Sequence, residues 1–118
     1  MGEFAMKKVT ATVTITEKML QDYEAIFGKQ IRIPPTFPSV FYREIEVPWR
    51  YKGAPIHRKQ TCTCYVELAI GERYRCVVRL DQKRQKGNYL FYTQSLIGYD
   101  MKGRECFRCV SELVVHSP

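Results

Sequence analysis

His57 and Gln60 are the residues from which chemistry can start. The chain holds two histidines, His57 and His116. Unperturbed imidazole titrates near neutrality, which suits proton transfer. His57 opens a run of strand-forming residues and is the candidate general base, whereas His116 sits in the tail. A histidine at a strand start can equally cap or pack against the preceding loop. Three residues on, the Gln60 amide could hydrogen-bond a substrate carbonyl or a neighbouring loop. Trp49, in a proline-flanked loop, suits either the entrance of a binding tunnel or a cover for a helix end.

Cys62-x-Cys64 and Cys106-x-x-Cys109 invite a zinc reading, since four thiolates make a closed site. Both pairs sit in segments that read as strands, where residues three apart point to opposite faces. No metal is therefore expected, and the default is small buried hydrophobes. Five cysteines, an odd number, with no secretory signal after Met6, favour reduced thiols and a cytoplasmic protein. There is no glycine-rich phosphate loop, no serine elbow and no usefully spaced carboxylate pair.

Arg58, Lys59, Arg73, Arg75, Arg79, Lys83, Arg84 and Lys86 form the densest basic stretch. They suit a docking face for an anionic partner or a solvated sheet face. Arg84 and Lys86, which read as lying in a turn, are the candidates for ligand contact. Tyr89, Phe91, Tyr92, Tyr99 and Phe107 could stack bases on a basic sheet. The chain lacks the aromatic-glycine motifs of the common RNA-binding sheets, so nucleic acid is not the expected partner.

These residues sit in a chain of 118 residues, close to the size of one domain. Its 45% hydrophobic and 26% charged residues are ordinary globular composition. No apolar run approaches the ~20 residues of a membrane span. The formal net charge is +7, which favours anionic partners. Met1-Gly2-Glu3-Phe4-Ala5 reads as a cloning leader, because Glu-Phe is what an EcoRI site encodes. Residues 6–118 are then expected to form one domain.

Residues 8 to 15 alternate as a half-buried strand. Thr14 or Thr16 can cap a helix carrying Met19, Leu20, Tyr23, Ile26 and Phe27, with Gly28 as its stop. Ile33-Pro34-Pro35-Thr36-Phe37-Pro38 is a rigid entry to a second helix over about 36–46. Thr36 could be its cap, and Phe37, Val40, Phe41 and Ile45 its apolar stripe. Strands are expected at 56–68, 72–82, 89–99 and 104–115. Turns are expected at Gln85–Asn88 and Asp100–Gly103, the last four strands following one another through tight turns. Strands segregated from helices indicate an α+β fold with an antiparallel sheet, in its simplest packing wrapped around the second helix.

That order resembles the hot-dog fold, and within it the N-terminal-half type of MaoC-like dehydratase domain. Pro34-Pro35-Thr36-Phe37 resembles the P-P-T-F opening of that family's central helix. His57-Arg58-Lys59-Gln60, followed by Leu68-Ala69-Ile70-Gly71-Glu72, resembles its H-x-x-Q strand leading into P-L-x-x-G-D. Asp100-Met101-Lys102-Gly103 resembles its last hairpin turn. The likeness runs from about Val13 to Val115.

One segment departs from the pattern. Active members end the first helix in G-D-x-N-P-x-H, whose Asp and His position water and shuttle a proton. Here Gly28 is followed by Lys29-Gln30-Ile31-Arg32-Ile33, with no Asp, Asn-Pro or His, and the chain runs straight into Pro34. A lysine cannot stand in for a carboxylate base.

The resemblance therefore implies an acyl-thioester binding subunit of a (3R)-hydroxyacyl dehydratase or enoyl hydratase. Such a subunit lacks its own Asp/His dyad and needs a partner for hydro-lyase activity. Its ligand would be an acyl-CoA or an acyl carrier protein, with Gln60, Trp49, Arg84 and Lys86 on the substrate side. It would need no cofactor beyond the coenzyme A or phosphopantetheine carrying the substrate. It would pair as a homodimer or as a heterodimer with another hot-dog subunit. A hot-dog acyl-CoA thioesterase and a non-enzymatic acyl-CoA-binding regulator are the alternatives.

Overall fold

The computed structural model describes residues 7–45, 47 and 55–116, without the side chains of Arg43, His57 and Gln82. Trp49 lies outside the described residues. The order is β1 (Lys7–Thr14), α1 (Glu17–Phe27), a 3-10 helix (Phe37–Arg43), β2 (Ile56–Cys64), β3 (Arg73–Lys86), β4 (Tyr89–Tyr99) and β5 (Glu105–His116).

The strands form one antiparallel sheet in the order β1-β3-β4-β5-β2. The expected run of four strands joined by tight turns is corrected here. β2 pairs with β5 at one edge of the sheet, and the chain then crosses to β3. The crossover begins earlier than the composition suggests. The strand ends at Cys64, Tyr65 and Val66 are exposed, and Leu68 drops into the core. Gly71 makes the final bend at φ 91° and donates its N–H to the Ile15 carbonyl at 2.8 Å. That conformation is one glycine adopts without a Cβ penalty.

α1 is capped by Thr16, whose Oγ1 accepts the Met19 N–H at 3.2 Å. Tyr23 is buried, while Met19 and Leu20 are half-buried. The last turn of the expected apolar stripe is not covered: Ile26 and Phe27 are 69% and 64% exposed.

The second helix is a short 3-10 helix and not the expected helix of 36–46. Its bonds run three residues back: the Phe37 N–H to the Pro34 carbonyl at 3.0 Å, and Ser39 to Thr36 at 3.2 Å. A proline in its first turn removes a donor there. Thr36 has a helical backbone (φ −82°, ψ −11°) and makes no side-chain cap. Its hydroxyl instead meets Tyr23 Oη at 3.0 Å.

The apolar stripe survives the change of helix type, since Phe37, Phe41 and Ile45 are buried and Val40 is half-buried. An aromatic chain runs from α1 through this helix to the sheet. Tyr23 meets Phe37 at 5.4 Å, Phe37 meets Phe41 at 6.0 Å, and Phe41 meets Phe107 at 5.4 Å. Tyr74 packs on the Phe107 ring at 5.3 Å. Gly98 stands opposite Phe107, and a Cβ there would lie 2.0 Å from the ring. The sheet thus wraps a short helix, with Tyr74, Cys76, Val78 and Leu80 on its inner face. This is the hot-dog architecture.

Candidate functional site

A polar row crosses the inner face of this sheet. Gln60 on β2 pairs with Ser111 on β5, and Ser111 pairs with Gln94 on β4. The neighbouring row, Cys62–Cys109–Leu96–Val78, is sulfur and hydrocarbon. Ser111 is 1% exposed and Gln94 8%, so both must find partners or carry a desolvation cost. Gln60 Nε2 donates to Ser111 Oγ at 3.4 Å.

Tyr42, from the 3-10 helix, lies against the row. Its hydroxyl donates to the Cys109 carbonyl at 3.5 Å. Burial pushes its pKa up, partly opposed by hydrogen bonds to the Ser111 and Gln94 side chains. Tyr42 is therefore a neutral donor at any ordinary pH. The row runs from exposed Gln60 at the sheet edge inward to buried Ser111 and Gln94. Hydroxyls and amides so placed can hold and orient a carbonyl. They contain no carboxylate that could act as a base.

Of the expected site residues, this row includes Gln60. His57 stands opposite Leu113 in the β2–β5 register, and its side chain lies outside the described atoms. Arg84 and Lys86 are corrected in place: both lie within β3, and the turn to β4 is only Gly87–Asn88.

A register shift at Asp81, between Leu80 and Gln82, changes which β3 residues align with the core positions of β4. It puts Arg84 opposite Phe91. The Arg84 guanidinium covers the Phe91 ring at 5.2 Å and lies 3.9 Å from the Glu112 carboxylate. Arg58 covers the same ring at 5.6 Å and pairs with Glu112 at 2.9 Å. This knot is on the sheet face opposite Gln60. Asp81 itself accepts a short hydrogen bond from Ser95 and pairs with Arg79 at 3.4 Å.

The aromatic candidates are scattered. Tyr92 and Phe107 are core, Tyr99 lies under Arg75 at 5.5 Å, and Tyr89 packs on His116 at 5.2 Å. Sequence reading missed Tyr42, Gln94 and Ser111. The only signal available for them was polar side chains at positions whose strand neighbours are apolar.

The segment that departs from the MaoC-like pattern folds back on α1. Gly28 donates its N–H to the Glu24 carbonyl at 2.8 Å. The Glu24 carboxylate accepts the Gln30 N–H at 2.8 Å, and Gln30 Nε2 donates to the Gly28 carbonyl at 2.8 Å. Lys29 and Ile31 are exposed, and Ile33 is buried. Among the described side chains the only imidazole is that of His116, at the far end of β5. Among the described residues no helix is long and apolar enough to cross a membrane.

No protein-family model matches the chain, and no curated protein matches it. Solved structures do. The chain is similar to the HadBC (3R)-hydroxyacyl-ACP dehydratase complex of Mycobacterium tuberculosis, with TM-score 0.68 and 9% identity over 94% of this chain and 95% of that one. It is similar to R-hydratase PhaJ1 of Pseudomonas aeruginosa, with TM-score 0.63 and 13% identity over 98% and 84%. It is also similar to HtdX of Mycobacterium tuberculosis, with TM-score 0.73 and 19% identity, covering 93% of this chain and 51% of that one. The chain thus spans about half the length of HtdX. At these identities the likeness is one of fold, and the fold is the hot-dog shared with MaoC-like dehydratases.

Proposed function

We propose that this chain is an acyl-thioester binding subunit of a (3R)-hydroxyacyl dehydratase or enoyl hydratase, acting in the cytoplasm with a second hot-dog subunit that supplies the catalytic Asp and His. The observation that carries the reading is the 28–33 segment. Where the resembled enzymes place their dyad, this chain has exposed Lys29 and Ile31 on either side of Gln30, whose N–H the Glu24 carboxylate accepts. The polar row supports the binding half of the reading. Gln60 and Ser111 offer neutral donors to a thioester carbonyl without a group to deprotonate the carbon beside it.

Exposed Ile26, Phe27 and Ile31 support the partner half. Three exposed large apolar side chains at and just beyond the end of α1 suit an interaction surface. The HadBC structure is itself described as a complex.

The test is thermal stability with and without a saturating medium-chain acyl-CoA. A ligand at 100 times its dissociation constant adds about 2.7 kcal/mol. The expected result is a shift that free coenzyme A does not match, reduced in Gln60→Ala, with little hydration of crotonyl-CoA by the chain alone. Robust hydration by the pure protein overturns the non-catalytic reading. Absence of any shift removes the acyl site.

A further inference from the structure

Cys62 and Cys109 are cross-strand partners on β2 and β5. Their place in the ladder decides what they can do. The Tyr65 N–H donates to the Cys106 carbonyl at 2.8 Å, and these two residues flank the Cys64–Phe107 pair. That pair is therefore of the non-hydrogen-bonded kind. With the alternation of an antiparallel ladder, so is Cys62–Cys109 two residues along. In such pairs the Cα atoms are about 4.5 Å apart and the side chains approach most closely. A disulfide needs a Cα separation of about 4.4–6.8 Å. The backbone is therefore already within the range a disulfide needs.

Both cysteines are free thiols, Cys62 half-buried and Cys109 buried. The Cys109 thiol hydrogen-bonds to Cys62 and lowers its pKa. Burial pushes the neighbouring Cys64 thiol up to about 11, and its Sγ lies 3.4 Å from the Pro35 carbonyl. Cys62 is thus the accessible and more acidic thiol, with Cys109 directly behind it.

We propose that Cys62 and Cys109 form a reversible oxidation site that takes hydrogen peroxide. The Cys62 thiolate attacks the peroxide, the O–O bond breaks, and Cys62 becomes a sulfenic acid as hydroxide leaves and takes a proton to become water. Cys109 then attacks the Cys62 sulfur. The S–S bond forms, the S–O bond breaks, and the Cys109 proton leaves with the hydroxide as a second water. Two thiols lose two electrons and the hydrogen peroxide gains them. A dithiol returns the pair to its reduced form. The product ties β2 to β5. This inference does not rest on the acyl-binding reading.

The test is peptide mapping of the full reduced chain after one equivalent of hydrogen peroxide, with free thiols alkylated and trypsin digestion run without reductant. The expected result is a peptide spanning Gln60–Arg73 joined to one spanning Cys109–Pro118, lighter than their sum by two hydrogens and separated by dithiothreitol. Cys64→Ser keeps the link and Cys62→Ser abolishes it. Full alkylation of both peptides after peroxide overturns the proposal. So does a link that needs Cys64, or one that joins light to heavy chains in an isotope-mixed sample.

Discussion

At the scale of single residues, Gly98 carries the tightest steric demand. Its backbone passes under Phe107, and an added Cβ would sit 2.0–2.6 Å from three atoms of that ring. Phe107 is fully buried and fixed between Phe41 and Tyr74, so it cannot swing away. Gly98→Ala is expected to destabilise the chain by on the order of 3 kcal/mol through overpacking. Equilibrium urea unfolding checks it, and an unchanged midpoint would mean the ring is free to move. Nothing local in the sequence singles out Gly98, because the clash comes from a partner strand. The candidate site divides the same way. Gln60 was legible from its place in a short motif. Tyr42, Gln94 and Ser111 were not, since a polar row across three strands exists only once the register is known. Arg84 was assigned to a turn because Asp81-Gln82-Lys83-Arg84 is uniformly polar. Alternation alone does not reveal the register shift at Asp81, nor the extension of β3 to Lys86.

At the scale of elements, what is encoded locally was readable. β4 spans Tyr89–Tyr99 as expected, and the turn after it forms at Asp100–Gly103. The 3-10 character of the second helix follows from proline placement, which a search for apolar spacing does not weigh. The β4–β5 turn also makes a prediction. Asp100 Oδ1 accepts the backbone N–H groups of Lys102 and Arg104, each at 2.9 Å, and Oδ2 meets the Arg104 guanidinium at 2.9 Å. The Arg104 N–H first, and then its side chain, hold the Asp100 pKa below the ordinary carboxylate value. A depressed carboxylate contributes stability above its unfolded pKa of about 3.9, and that contribution is lost as pH falls through the folded value. Asp100→Asn is therefore expected to be less stable than the parent at neutral pH, with the gap closing below about pH 4. Thermal melts across that range check it, and a gap that persists into acid would assign the effect to turn geometry and not to charge.

At the scale of the whole molecule, the sheet ends at β2 among the described residues, and there β2 pairs with β5. An unpaired edge is a template for another strand. The ladder says which groups face outward. Gln60, like Cys62 and Cys64, occupies a non-hydrogen-bonded position toward β5, so its N–H and carbonyl point away from β5. Thr61 and Thr63 carry the bonds to β5. A proline at Gln60 removes one outward donor and leaves the β5 ladder intact, which an edge strand tolerates. At Thr61 the same substitution breaks the sheet. If two hot-dog sheets join along β2, the parent chain sediments as a dimer, Gln60→Pro shifts it to monomer without loss of secondary structure, and Thr61→Pro unfolds the edge. A Gln60→Pro variant that remains dimeric would place the contact elsewhere. The exposed Ile26, Phe27 and Ile31 would then be the side chains to alter next, because they are the most exposed large aliphatic and aromatic side chains around the end of α1.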